Sequence, residues 1–123
     1  GMSAGSTVLN EIVAFVRPNK REATVRALEE SGIFSYTTAV ILGRGQQRGL
    51  RFPAQNGEPT HIRFLPKQMF QIVIEHRDIG RAIDAIIKAN RTGKGEYGDG
   101  KIFVLNMEDA VRVSTGERGR EAV

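Results

Sequence analysis

The stretch that decides the fold runs from Met69 to Leu105, MFQIVIEHRDIGRAIDAIIKANRTGKGEYGDGKIFVL. Its first seven residues, Met69 to Glu75, are rich in β-branched and aromatic side chains and read as a central strand. Asp78 then stands at a helix N-cap position. After it Ile79, Ala82, Ile83, Ile86 and Ile87 recur at i, i+3, i+4, i+7 and i+8, the clearest amphipathic helix in the chain. Gly93 stops that helix, a glycine-rich turn runs to Gly100, and Ile102 to Leu105 returns as a strand. The stretch is a β-α-β unit.

The N-terminal part repeats the pattern. Val8 to Val16 reads as a strand with Ile12, Ala14 and Val16 on one face and Val13 and Phe15 on the other. Arg17-Pro18-Asn19 ends it, and Asn19 is placed to cap a helix with an inner stripe of Ala23, Val25, Ala27 and Leu28, stopped at Gly32. Thr37 to Leu42 forms the next strand. The order β-α-β, loop, β-α-β predicts an α+β, ferredoxin-like βαββαβ sandwich, an antiparallel four-stranded sheet with two helices on one face. The other face then carries Val13 and Phe15 uncovered, which predicts oligomerisation. A short extended piece, Val111 to Val113, follows the fourth strand.

Between the two units lies a long excursion, about Arg44 to Lys67, opened by Gly43-Arg44-Gly45-Gln46-Gln47-Arg48-Gly49 and containing Pro53, Gly57, Pro59 and Pro66. It holds five basic residues, Arg44, Arg48, Arg51, Arg63 and Lys67, against the single acid Glu58, which accounts for the whole net charge of +4. Charge concentrated on one segment is a footprint for phosphate, nucleic acid or an acidic protein patch. Gly1 before Met2 reads as a tag remnant, with residues 1–7 a flexible leader and 8–123 a single domain.

Composition excludes several classes. The longest apolar run, Ile12 to Val16, is far short of the roughly 20 residues a membrane span needs. With no cysteine there is no disulfide, thiolate metal site or cysteine nucleophile, and a reducing cytoplasm fits. His61 and His76 have no metal-ligand spacing and no nucleophile or carboxylate placed beside them by sequence, so no enzyme is expected. Gly93 to Gly98 spells G-x-G-x-x-G and Gly95 to Lys101 spells G-x-x-x-x-G-K, but both follow a helix and lead into a strand, the reverse of the dinucleotide and Walker contexts. What remains is capacity. Gly93, Gly95, Gly98 and Gly100, with Lys94 and Lys101, can turn backbone N–H groups and positive charge toward an anion, or simply form a turn. Asp99 between two glycines fits a magnesium or ribose contact, or a turn former.

Val16-Arg17-Pro18, the Gly43 to Gly49 run with Gln47, Phe64-Leu65-Pro66-Lys67, Thr92-Gly93-Lys94, Gly98-Asp99-Gly100-Lys101-Ile102-Phe103, Arg112 and Thr115-Gly116-Glu117 together resemble the PII nitrogen-regulatory signal-transduction family. The likeness covers roughly Leu9 to Val123, and the Gly43 to Gln47 run is similar to the branch tied to nitrogen fixation. The resemblance implies a cytoplasmic homotrimer that binds ATP or ADP between subunits, takes 2-oxoglutarate as effector, and docks a mobile T-loop, here about Arg44 to Lys67, onto a nitrogen-metabolism enzyme, an ammonium transporter or a nitrogenase-related target. Membrane contact would then come only through a transporter.

The resemblance places nucleotide contacts at Thr37, Gly43, Gly45, Gln47, Lys67, Gly98, Asp99, Gly100, Lys101, Phe103 and Arg112, the last reaching across from a neighbouring subunit. Gln47 would complete a magnesium site with ATP, and Gln47 and Lys67 would hold the effector. Three features depart from the family's pattern: the turn is longer by two residues, Ser114 replaces a second phosphate-binding arginine, and Gln71 replaces a glutamate. The loop has no tyrosine or serine between Gln46 and Pro66 to accept a covalent modification. Two alternatives stand beside this reading. One is a PII-like trimer with an altered ligand. The other is a basic ferredoxin-like module for nucleic acid, which lacks the expected stacking-aromatic pattern on its central strands.

Overall fold

The alternation of buried side chains along Leu9 to Val16 is what organises the chain: Ile12, Ala14 and Val16 are almost wholly buried, while Val13 and Phe15 on the opposite face are half-buried. The structure, a computed structural model, describes residues 8–46 and 62–123. The expectations for residues 1–7, for Gln47 and for the body of the long loop lie outside the described residues.

Strand β1 (Leu9–Val16) leads through a single 3-10 turn into helix α1 (Arg21–Glu30), then β2 (Thr37–Gln46), β3 (Ile62–Glu75), α2 (Ile79–Asn90) and β4 (Gly100–Asn106). The strands form one antiparallel sheet in the order β2-β3-β1-β4. Strand β1 pairs with β3 from Leu9↔Glu75 to Val16↔Gln68 and with β4 from Asn10↔Asn106 to Val16↔Gly100. Strand β2 pairs with β3 from Thr37↔Gln71 to Gln46↔Ile62. This is the ferredoxin-like arrangement that the element order predicts.

The core joins Ile12, Ala14 and Val16 with Phe70, Ile72 and Ile74 of β3, Leu28 of α1, and Ala82, Ala85 and Ile86 of α2. Burying each of the larger of these side chains contributes about 1.5–3 kcal/mol. The two helices are also joined by polar atoms. Asn90 Nδ2 donates to the Thr24 hydroxyl at 2.9 Å and to the Ile86 carbonyl at 2.8 Å, and Thr24 donates to the Lys20 carbonyl at 2.7 Å. Thr24 is fully buried between the residues of the predicted stripe, a position that a purely apolar pattern does not reveal.

Helix α1 ends as Gly32 requires. Gly32 adopts φ +79° and donates its N–H to the Glu29 carbonyl, while the Ile33 N–H reaches back to the Leu28 carbonyl. This is the Schellman arrangement, closed by the buried pair Leu28 and Ile33.

Several details at the element ends differ from the sequence reading. Asn19 is not the cap of α1: residues Pro18–Lys20 form the 3-10 turn, and α1 starts at Arg21 with no side-chain cap. Asp78 does occupy the N-cap position of α2, but its carboxylate faces Arg81 at 3.6 Å rather than capping the helix. Strand β3 starts at Ile62, not Met69, and β2 runs to Gln46, so a two-stranded ribbon takes up both ends of the predicted excursion. Pro66 fits in that ribbon because β1 pairs with β3 only from Gln68 onward, leaving β3 with β2 alone as a neighbour at Pro66.

Candidate functional site

Residues paired across an antiparallel ladder share a sheet face. Lys101 pairs with Phe15 and Phe103 with Val13, on the face turned away from the helices. On the same face Thr37 pairs with Gln71, Lys67 with Ile41, and Gly43 and Gly45 with Leu65 and Arg63. Six of the residues singled out in the sequence therefore share one face. They do not share one edge. Thr37, Gly43 and Gly45 lie on edge strand β2 and Lys67 beside it on β3, whereas Lys101 and Phe103 lie on the opposite edge strand β4. Three strand spacings, roughly 14 Å, separate the two edges.

Lys67 and Lys101 also sit toward the same end of the sheet, where Val16 pairs with both Gln68 and Gly100. The outer face between the edges carries an apolar patch beside the polar pair Gln71 and Glu11: Val13, Phe15 and Met69 are half-buried, Phe103 is 49% exposed, and Phe15 meets Phe103 edge-on with ring centroids 6.1 Å apart. Nothing in the described part of the chain covers it.

The glycine-rich turn between α2 and β4 is ordered around one carboxylate. Asp99 Oδ1 accepts from Arg17 Nη1 at 2.8 Å and from the Thr92 hydroxyl at 2.6 Å. Its Oδ2 accepts the backbone N–H groups of Glu96 at 2.8 Å and Thr92 at 3.0 Å. A capping box over Tyr97–Asp99 completes the turn, and Glu96 lies 3.7 Å from Arg17. These bonds hold the Asp99 carboxyl well below the usual carboxylate range, the Glu96 N–H first, then the Thr92 hydroxyl and N–H, with the Arg17 charge adding less. Asp99 is thus the fastening of the turn. Arg17 has no local sequence signal for this role, since it lies 82 residues away along the chain.

Gly100 follows at φ +134°, where β4 starts so close to β1 that a β-carbon would stand 2.3 Å from the Phe15 carbonyl oxygen. Only glycine allows the fastened turn to feed directly into the sheet. Lys101 projects beyond it with its ammonium 5.8 Å from the centre of the Tyr97 ring. Tyr97 lies within the Lys94 to Gly98 run and sits against the lysine that the resemblance gives to phosphate.

Arg112 is elsewhere. The segment that carries it leaves the far end of β4, where Met107 donates its N–H to the Leu9 carbonyl and Arg120 pairs with Glu75 at 2.9 Å. The expected extended piece there is a single bridge, Val111↔Arg118. Arg112 is exposed, and its side chain has no hydrogen-bond or ion-pair partner among the described residues. His76, at the β3–α2 junction, meets the Asn10 side chain at 3.0 Å and reads as a satisfied turn residue. No group of three His, Asp or Glu side chains able to hold a metal occurs among the described residues, and no described helix is long and apolar enough to cross a membrane.

A family profile described as Nitrogen regulatory protein P-II matches residues 9–117. The chain is 39% identical over 123 aligned positions to nitrogen fixation nifHD region GlnB-like protein 2 of Methanothermobacter marburgensis, covering 94% of this chain and 100% of that one. It is 41% identical over 115 positions to nitrogen regulatory protein P-II 1 of Methanothermobacter thermautotrophicus, covering 94% and 97%. Among solved structures it is similar to Arabidopsis thaliana PII bound to citrate, with 33% identity, a TM-score of 0.71, and 95% and 94% of the two chains covered. It shares the fold of the B. subtilis GlnK–ATP complex, with a TM-score of 0.73 at 23% identity over 94% and 96% of the chains.

Proposed function

The chain belongs to the nitrogen regulatory protein P-II family, beside its nitrogen-fixation-linked members, and from that premise we propose that it is a trimeric sensor that binds ATP or ADP between subunits and 2-oxoglutarate as a second effector. The family's proteins are regulators rather than enzymes, so the output is a contact with a nitrogen-metabolism target, made by the loop between β2 and β3.

The observation that carries this reading is the division of the site. Thr37, Gly43 and Gly45 on edge strand β2, with Lys67 beside them on β3, share a face with Lys101 and Phe103 on the opposite edge strand β4, and the two groups are set apart across the sheet. A second copy, seated against the apolar patch of that face, brings opposite edges together. The turn fastened by Asp99 then offers the glycine backbone of Gly98 and Gly100 and the Lys101 ammonium to the phosphates. Asp99 acts through the shape of the turn, because its carboxylate is already engaged by Arg17, Thr92 and Glu96.

The fit for magnesium is limited to what the nucleotide brings. The described residues supply no metal cluster, and the protein ligand in this reading is Gln47, with the ion neutralising phosphate charge. Lys67 serves the effector carboxylate. Because β2 ends at Gln46 and β3 begins at Ile62, ligand at the root of the ribbon is coupled directly to the loop that docks.

Titration calorimetry with magnesium ATP, with and without 2-oxoglutarate, on protein sized by light scattering tests the proposal. The expected result is a particle of three chain masses, saturable ATP binding, and tighter ATP binding when 2-oxoglutarate is present. A monomer, or a trimer indifferent to both ligands, overturns it.

A second reading, a trimeric regulator tuned to another small molecule, is favoured by the position of Tyr97 against Lys101 and by Ser114. Introducing the missing cation by Ser114→Arg is expected to tighten ATP binding about ten-fold, the worth of one charge-assisted phosphate contact. No gain on calorimetry would favour the second reading.

A further inference from the structure

The loop that carries Arg112 is closed into a ring at whose base one acidic residue, Asp109, meets both ends. Asp109 Oδ2 accepts from Arg118 Nη1 at 2.6 Å, and its Oδ1 accepts the N–H groups of Ala110 at 2.8 Å and Gly119 at 3.2 Å. The Gly119 N–H also reaches the Ala110 carbonyl at 2.9 Å, so the two ends of the ring are joined by carboxylate and by backbone. Above this base Val111 and Arg118 form a bridge. At the tip, the Arg112 N–H donates to the Glu117 carbonyl at 2.8 Å, and the Arg112 carbonyl accepts the Gly116 N–H at 2.7 Å. Thr115 donates its hydroxyl to the Glu117 carboxylate and accepts the Glu117 N–H. Both backbone groups of Arg112 are therefore used inside the ring, while its guanidinium is left exposed and unpaired among the described residues.

Outside the ring a second tie holds the chain. Arg120 Nε lies 2.9 Å from Glu75, which also receives Arg77 Nε at 2.9 Å. The base of the ring is thereby held at the end of β3. Isolated surface ion pairs contribute little to global stability, so the Asp109–Arg118 pair has small weight as a general stabiliser. Its geometry is another matter: the carboxylate is gripped by two backbone N–H groups as well as by Arg118, and Arg118 with Ala110 holds it below the usual carboxylate range.

We propose that Asp109 and Arg118 are positioning residues for nucleotide binding, a latch that pre-forms the ring and so presents the Arg112 guanidinium to the polyphosphate of a nucleotide held against a second copy of this chain. The inference rests on the assignment of Arg112 to nucleotide under the proposed function. A pre-formed ring spares the complex the cost of ordering this loop when ligand arrives.

The test is a double-mutant cycle read by calorimetry with magnesium ATP on the full chain: wild type, Arg118→Met, Arg118→Lys, Arg112→Ala and the Arg112→Ala/Arg118→Met double variant. Arg118→Met is expected to weaken ATP about five-fold, Arg118→Lys to recover most of that loss because the charge facing Asp109 returns, and Arg118→Met to have no further effect once Arg112 is alanine. Loss of the latch is also expected to speed amide hydrogen exchange at Arg112 and Gly116 in unliganded Arg118→Met, while exchange in the β1 and β3 amides stays at wild-type rates.

Equal losses in both backgrounds would make Arg118 a direct contact or a general stabiliser and overturn the inference. Wild-type affinity in Arg118→Met, or unchanged exchange at the ring, overturns it as well. Failure of the underlying assignment is read separately, as wild-type affinity in Arg112→Ala.

Discussion

Gly100→Ala is expected to destabilise the protein by about 3–5 kcal/mol, the combined scale of a strained positive φ and a steric overlap with the backbone of β1. The added β-carbon would stand 2.3 Å from the Phe15 carbonyl oxygen and 3.2 Å from Val16 Cγ1, at φ +134°. Neither contact is the loose end of a flexible side chain, so relief requires β4 to move away from β1. That movement breaks the Val16↔Gly100 pairing at the point where the glycine-rich turn meets the sheet. Gly32→Ala is the control. Its φ is +79° but no atom lies within 4 Å of the added carbon, so only the backbone term applies, about 1 kcal/mol. Urea unfolding at one fixed protein concentration compares the two, since any oligomer makes the midpoint depend on concentration. Equal shifts for both variants would mean that β4 yields without cost and that the close approach has no structural weight.

Asp99→Asn is the second large effect, and it falls on binding more than on folding. Asparagine keeps the size of the side chain but replaces one acceptor oxygen with a donor. With its NH₂ toward Glu96 and Thr92 it faces two backbone N–H groups; turned the other way it faces the Arg17 guanidinium. Either orientation opposes donor to donor, so the turn loses its fastening whichever way the amide sits. The expected outcome is unchanged far-ultraviolet circular dichroism with ATP affinity reduced roughly ten-fold or more. Wild-type affinity would show that the phosphate cradle does not depend on the shape Asp99 imposes.

The pH dependence of the wild-type turn has a definite sign. A carboxyl held below its ordinary range stabilises the folded form fully above that range, and the contribution shrinks progressively as pH falls from the ordinary range through the depressed folded value. The turn therefore stays fastened from neutrality down through the range in which ordinary carboxylates protonate.

The strands, both helices and their order were legible because each depends on near neighbours in sequence. The isoleucine and alanine stripe of α2 has the period of a helix, and the two faces of β1 have the period of a strand, so local pattern and burial agree. The start of β3 was not legible. Pro66 argues locally against a strand, and only the sheet order shows that β3 has no second neighbour at that point. The buried Thr24–Asn90 bond was missed for a related reason: a polar core position is visible only once the partner helix is in place.

The sequence by itself determined the family, the ferredoxin-like order of elements and the residue types available to a phosphate, because motifs and periodicity are properties of the chain taken in order. The tertiary structure alone decided which of those residues can act together. Register put Thr37, Lys67, Lys101 and Phe103 on one face, and strand order set them at opposite edges. Folding also brought Arg17 to Asp99 across 82 residues and closed Asp109 onto Arg118 at the base of the Arg112 ring. The first of these contacts joins residues far apart in the chain, at a distance set by the packing of the whole sheet; the second is nine residues long but depends on the loop's closed backbone, which no local periodicity announces.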